Sequence, residues 1–327
     1  MLDSKEILER VNQELAHLSF EREPRGLYDP VRYVLSLGGK RIRPVLMLMA
    51  YGMYKKDLSP CIPAALGLEV YHNYTLLHDD LMDNAEVRRG KPCVHKKWDD
   101  NTAILSGDAM LVLAYQLMQE CPVEVMPQVM AVFTETALEI DEGQQMDMEF
   151  EKRTDVREEE YIEMIRLKTS VLLACATALG ALQAGADDAD VETLHIFGEK
   201  LGLAFQLQDD LLDVYGDFST FGKRIGGDIL ENKKTMLLID ALQMAETEQR
   251  REIEYWLEQM PTTVEGQQKK IEAVRHIYDE IGVKRVTENR INEYFHQARM
   301  ALESLPLSVE RKKPLWELAI SLMQRES

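Results

Sequence analysis

The chain has 327 residues, 45% of them apolar, enough to bury a substantial core in one large domain or two small ones. Its 38 basic and 57 acidic side chains leave a formal charge of −19, which excludes a uniform attraction to nucleic acid. No unbroken apolar stretch approaches the ~18 residues that a bilayer span needs; Val45 to Tyr54 is about half that, and Leu2-Asp3-Ser4-Lys5-Glu6 has no secretory character.

Helical periodicity runs from end to end. Leu37 closes one amphipathic run, which carries Leu35, Gly38-Gly39 stops it, and Pro44 suits the first turn of the next, which carries Val45, Leu48 and Met49. Apolar residues then recur at three- and four-residue spacing over Ala64 to Leu81, Ala109 to Leu117, Val129 to Ile140, Tyr161 to Leu182, Leu194 to Val214 and Met236 to Met244. Ala64 to Asp83 and Thr193 to Tyr215 are apolar around most of their circumference, which predicts places in the middle of a bundle. Glu151 to Glu160 and Glu246 to Glu254 are charge-rich and read as solvated faces or loops. Neither a period-two strand nor a hairpin signal stands out, and 18 Gly and 11 Pro are sparse punctuation. The pattern predicts one all-α domain over residues 1–327, with roughly a dozen helices. Cys61, Cys93, Cys121 and Cys175 are scattered without a CxxC and read as reduced thiols of a cytoplasmic protein, Cys61 and Cys175 as small core residues. Trp98, Trp256 and Trp316 read as packing anchors and His195 as structural or exposed.

Two segments carry chemistry. His78-Asp79-Asp80-Leu81-Met82-Asp83 and Gln208-Asp209-Asp210-Leu211-Leu212-Asp213 each end a strongly apolar helix pattern with DDxxD. Residues four apart on a helix lie ~40° apart around its axis, so Asp79 shares a face with Asp83, and Asp209 with Asp213. Carboxylates so clustered repel one another and oppose the helix dipole unless a cation neutralises them. Hard oxygen donors without His or Cys suit Mg²⁺, which completes its shell with water and substrate phosphate. One DDxxD is compatible with ordinary helix ends; two copies in the same apolar setting are much harder to explain so.

Basic residues recur beside these aspartates. Lys40, Arg41 and Arg43 flank a helix start, where free N–H groups already favour anions. Arg88-Arg89-Gly90-Lys91-Pro92 follows the first motif; Lys168-Thr169 lies within a helix, and Gly222-Lys223 and Asn232-Lys233 follow the second motif. In a chain this acidic, the arrangement suggests a phosphorylated ligand held by metal and cations together.

With these motifs in order, the sequence resembles the trans-isoprenyl diphosphate synthases (polyprenyl synthetases) from about residue 30 to about residue 240. GKxxRP, HxxxxxHDDxxD followed by RRGKP, then KT, FQxxDD and GKxxGxD…NK all occur. The resemblance implies a single all-α bundle, usually a homodimer, around a central cavity lined by two facing aspartate motifs. It assigns Asp79, Asp83 and Asp209 to Mg²⁺, three ions with substrate bound, with Asp80, Asp210 and Asp213 beside them as catalytic residues. Lys40, Arg43, His72 and Arg89 would hold isopentenyl diphosphate; Arg88, Lys168, Thr169, Gln206, Lys223 and Lys233 would hold the allylic diphosphate. The implied reaction ionises the allylic C–O bond, adds isopentenyl diphosphate to the cation and loses a proton. Tyr74 and Thr75, roughly 6–7.5 Å along the helix from Asp79, would set the floor of the chain-growth pocket. A bulky Tyr74 argues for a geranylgeranyl or farnesyl product, geranylgeranyl favoured. Neither nucleic acid nor a membrane span is implied.

Other readings carry less. A medium- or long-chain polyprenyl diphosphate synthase would share every motif. A terpene cyclase would need no site for a second diphosphate, and a non-catalytic subunit would lack intact aspartate motifs. Glu69-Val70-Tyr71-His72 and Glu192-Thr193-Leu194-His195 match the Glu-x-x-His of di-iron bundles, but that reading leaves the paired DDxxD and the basic loops unexplained.

Overall fold

A computed structural model describes residues 3–18, 20–216 and 225–324. Apart from one two-stranded hairpin, every regular element among them is helical, in sixteen α-helical segments. Two of them, Val94–Lys97 and Gly227–Leu230, are one-turn pieces too short to leave a periodic trace.

The chain divides into two compact units. One comprises Met1–Thr134, Cys175–Leu194 and Pro306–Leu315; the other Glu135–Ala174, His195–Leu305 and Trp316–Ser327. In the first, α1 (Ser4–His17) starts from Asp3, whose side chain accepts from Lys5 and Glu6 N–H while Glu6 reaches back to Asp3 N–H. α2 (Arg25–Ser36) and α3 (Ile42–Gly52) flank the glycine pair, and α4 (Ile62–Met82) packs against α3 and against α6 (Asp100–Met118), with α5 (Val94–Lys97) between α4 and α6 in the chain. α4 is buried on nearly every side, through Leu66, Leu68, Val70, Tyr71 and Leu77 among others, as its all-round apolar pattern predicts. Each such side chain contributes roughly 1.5–3 kcal/mol over its exposed state, so this helix is a rigid platform for whatever its C-terminus carries.

In the second unit, Leu207, Leu211 and Val214 near the end of α10 (Asp188–Tyr215) join one core with Met164, Ile165, Met236 to Ile239, Ile253, Ile277 and Ile291. In chain order α10 is preceded by α7 (Met126–Phe150), α8 (Glu158–Ile165) and α9 (Val171–Gln183), the last two joined by a single π-helical turn, Arg166–Ser170.

Two expectations change. Val87–Arg88 and Lys91–Pro92 pair antiparallel, with Arg89 (φ 53°) and Gly90 (φ 73°) as the two turn residues, so the basic stretch after the first motif is a hairpin. Its two-residue strands are too short for period-two patterning to register. The longest apolar helical run is Glu158–Gln183, not Val45 to Tyr54; by length and composition alone it could cross a membrane, and 78% of its apolar window is buried inside the protein. All four cysteines are buried and free.

Candidate active site

α4 ends at Met82, and Asp83 closes its last turn with N–H to the Asp79 carbonyl at 2.9 Å. Asp79 and Asp83 thus stay on one stripe, the first half-buried and the second exposed, while Asp80, a third of a turn round, is 5% exposed. Arg88, brought back by the hairpin, places Nε and Nη2 each 2.7 Å from Asp80 Oδ1, with Nη2 also 3.7 Å from Asp79 Oδ2. Burial pushes the Asp80 carboxyl up, and Arg88 opposes that shift.

The glycine loop meets the same helix. Arg43 Nη1 lies 3.0 Å from His72 Nε2; an arginine can only donate, so the imidazole accepts there. Burial, then Arg43, Arg89, Arg88 and Arg41 in that order, hold His72 well below the usual histidine range, so it is a neutral ring in a strongly positive field. Arg89 donates to the Gly38 carbonyl and lies over Gly39, where a Cβ would sit 2.8 Å from its Nη2. Lys40 is exposed on the same loop.

Arg41 departs from the sequence reading, which set it beside Lys40 and Arg43 as an anion-facing cation. It is 5% exposed and turned into the core. Its Nη1 donates to Glu69 Oε1 at 2.6 Å and its Nη2 to the Leu35 carbonyl at 2.8 Å, while Asn73 Nδ2 donates to the same Glu69 oxygen at 2.9 Å. Arg41 also caps α3 in the left-handed region (φ 47°), a conformation that persists where surrounding structure over-determines it. Glu69 of the Glu-x-x-His match is therefore neutralised by arginine.

The second motif repeats the pattern in its own unit. Asp210 is 4% exposed; Tyr161 donates to its Oδ2, and Gln206 Nε2 to its Oδ1 at 3.0 Å. Burial and then Asp228 push this carboxyl up, while Tyr161, Gln206 and Lys233 oppose the shift. Asp209 is half-buried. Asp213 Oδ1 accepts from Asp228 N–H at 3.0 Å and its carbonyl from Gly226 N–H at 2.7 Å, so it ties down the turn that precedes Lys233. Lys223 lies outside the described residues.

Lys168 and Thr169 sit in the π turn, a feature that spacing alone did not reveal. Lys168 Nζ lies 2.6 Å from Asp147 Oδ2, and Thr169 Oγ1 donates to Gln206 Oε1 at 3.1 Å. The turn is seated against Gly143, where a Cβ would fall 2.4 Å from Lys168 N. Asp147 and Tyr161 were missed: each is a single acidic or aromatic residue with nothing local to distinguish it from a surface or core position, while Asp228, the aspartate of GKxxGxD, was quoted within its motif but given no role.

Tyr74 is half-buried in an aromatic row, its ring 5.5 Å from Tyr71 and 4.9 Å from His78, with Tyr71 against Phe133 at 5.2 Å. Thr75 Oγ1 donates to the His72 carbonyl. Among the described residues no three His, Cys, Asp or Glu side chains converge into a ready-made metal cluster. The outer aspartates nevertheless fit a hard cation that draws part of its shell from a ligand: they offer oxygen only, on accessible helix ends, while the inner aspartates are already engaged, Asp80 by Arg88 and Asp210 by Tyr161 and Gln206.

The Polyprenyl synthetase family model matches residues 24–277. The geranylgeranyl pyrophosphate synthase of Geoglobus acetivorans is 37% identical over 97% of this chain and 96% of its own length. A crystal structure of geranylgeranyl pyrophosphate synthase superposes with a TM-score of 0.95 at 45% identity, covering 100% of both chains. That of Corynebacterium glutamicum, complexed with isoprenyl diphosphate and magnesium, gives 0.88 at 27% identity over 99% of this chain and 100% of its own.

Proposed function

Because the chain belongs to the polyprenyl synthetase family and is a prenyltransferase, we propose that it condenses isopentenyl diphosphate with an allylic diphosphate to a short trans product, geranylgeranyl diphosphate favoured. The observation that carries this reading is the accepting His72 ring 3.0 Å from Arg43, with Arg88 and Arg89 close by, a concentration of positive charge next to Asp79 in a chain of net charge −19. Guanidinium groups bind diphosphate oxygens bidentately, and a neutral imidazole adds no competing charge of its own. We assign Lys40, Arg43, His72 and Arg89 to isopentenyl diphosphate. Arg88, Lys168, Thr169, Gln206, Lys223 and Lys233 are assigned to the allylic diphosphate.

Asp79, Asp83 and Asp209 are the carboxylates assigned to Mg²⁺, three ions in all, which when bound stabilise charge on the departing diphosphate. Asp80, paired with Arg88, and Asp210, hydrogen-bonded by Tyr161 and Gln206, hold the helix ends that present the outer carboxylates. Asp147 holds the Lys168 ammonium, and the Thr169–Gln206–Asp210 chain fixes the neighbouring hydroxyl. The proposed reaction requires that water be kept from the allylic cation. We read the chain as one domain, since each unit is assembled from three separate stretches and the family match runs through both. A homodimer is supported by exposed Ile104, Leu105 and Val112 on α6, and a cytoplasmic location without a membrane span by four free thiols and the buried Glu158–Gln183 run.

Incubation with labelled isopentenyl diphosphate, each of dimethylallyl, geranyl and farnesyl diphosphate, and Mg²⁺ tests the reading. Products ending at geranylgeranyl length are expected; longer chains would assign a medium- or long-chain enzyme, and no condensation would overturn the proposal. In the same assay Tyr74→Ala is expected to lengthen the product by one or more isoprene units, because it removes the bulk assigned to the pocket floor. An unchanged size distribution would reduce Tyr74 to core packing.

A further inference from the structure

Lys270, on the helix Val264–Ile281, is the one fully buried lysine among the described residues. Its Nζ donates to Asn232 Oδ1 at 2.7 Å and to the Gln259 carbonyl at 2.9 Å. Ile229, Leu238, Ile253, Leu257, Val274 and Tyr278 enclose the small apolar cavity beside it. Burial lowers its pKa. An ammonium in such a place is costly compared with a leucine or methionine of similar size, so packing alone does not account for it.

The element that gains is the turn ahead of Lys233. Asn232 sits in the left-handed region (φ 55°) with both ends of its amide engaged, Oδ1 by Lys270 and Nδ2 by the Leu257 carbonyl at 2.8 Å. Lys233 N–H then donates to the Asp228 carbonyl at 2.9 Å, and Asp228 N–H is held by Asp213 of the second aspartate motif. Lys233 lies close enough to that motif to act on Asp210.

We propose that Lys270 is a positioning residue: by pinning Asn232 it fixes the left-handed turn that aims Lys233 at the allylic diphosphate. The inference rests on the prenyl-transfer reading above. It predicts an effect on one substrate and not the other, because the residues assigned to isopentenyl diphosphate lie on other elements.

The test is steady-state kinetics of the full chain with both substrates. Lys270→Met, which keeps the volume and removes the donors, is expected to raise KM for the allylic diphosphate about tenfold and leave KM for isopentenyl diphosphate within twofold. Adding Lys270→Met to Lys233→Met should then raise the allylic KM no further, since the pathway is already cut. Lys270→Gln, which retains a donor, should recover part of the loss. If Lys270→Met does not fold, Asn232→Gly carries the test: glycine adopts the left-handed turn but removes the amide by which Lys270 pins it, and the allylic KM should rise alone. Equal changes in both KM values, or a lowered melting temperature with unchanged kinetics, would make Lys270 merely structural. A wild-type chain that fails to condense the two diphosphates would overturn the underlying reading instead.

Discussion

Replacing Asp79 with alanine is expected to lower turnover about a thousandfold while leaving the unfolding transition in place. The two halves of this result have separate causes. Asp79 stands in the last turn of α4, where a negative charge opposes the helix dipole, and its contact with Arg88 Nη2 is a loose 3.7 Å. Arg88 keeps its shorter bond to Asp80, so removing the outer carboxylate costs the fold little. A carboxylate that helps hold the charge-stabilising cation is a different matter: losing about 4 kcal/mol of transition-state stabilisation is about three decades in rate. Kinetics of the labelled condensation beside a thermal melt check both halves. Near-normal turnover would remove Asp79 from the metal site, and a collapse of the melt would make the residue structural.

Glu69→Ala should produce the opposite signature, a large loss of stability. It leaves Arg41 buried with the Leu35 carbonyl as its remaining protein partner and strips Asn73 of an acceptor. An uncompensated buried charge typically costs 3–5 kcal/mol, which urea unfolding would read as a lower midpoint at unchanged slope. Activity is affected as well, because Arg41 is the left-handed residue between Lys40 and Arg43, and its guanidinium anchors that loop to α4. Glu69→Gln, which keeps the shape and the acceptor but not the charge, should fall between. A loss under about 1 kcal/mol for Glu69→Ala would mean that Arg41 reaches another acceptor or water when its partner is gone.

Much of this architecture could be read from residue order, for identifiable reasons. Met236 to Met244 is helical between those same residues, and α4 is buried as its all-round apolar character requires, whereas α10 leaves Ile196 exposed and a half-buried side along Glu199 and Lys200. The four-residue spacing within each DDxxD correctly set the outer aspartates apart from the inner one, since 3.6 residues per turn leaves no alternative. What escaped was whatever depends on partners distant in sequence. Nothing near Arg41 says that Glu69 waits for it, and nothing near Asp210 points to Tyr161. The basic stretch after the first motif was visible as charge, but its hairpin depends on a two-residue turn without the Asn-Gly signature. Lys168-Thr169 was placed on a helix, yet a π turn leaves almost no compositional mark, and Gly143, which gives it room, stands far away in the sequence.

That turn leaves the direction of the helix unchanged. Relative to an ordinary helix it takes up one surplus residue, so Glu158–Ile165 and Val171–Gln183 meet in the phase that one residue fewer would give an unbroken α-helix. Deleting one residue from 166–170 would close the bulge into regular helix and leave the flanking faces where they are. What would be lost is the local widening that sets Lys168 against Asp147 and Thr169 against Gln206. Over this stretch the surplus residue serves two side chains, not the helix that carries them.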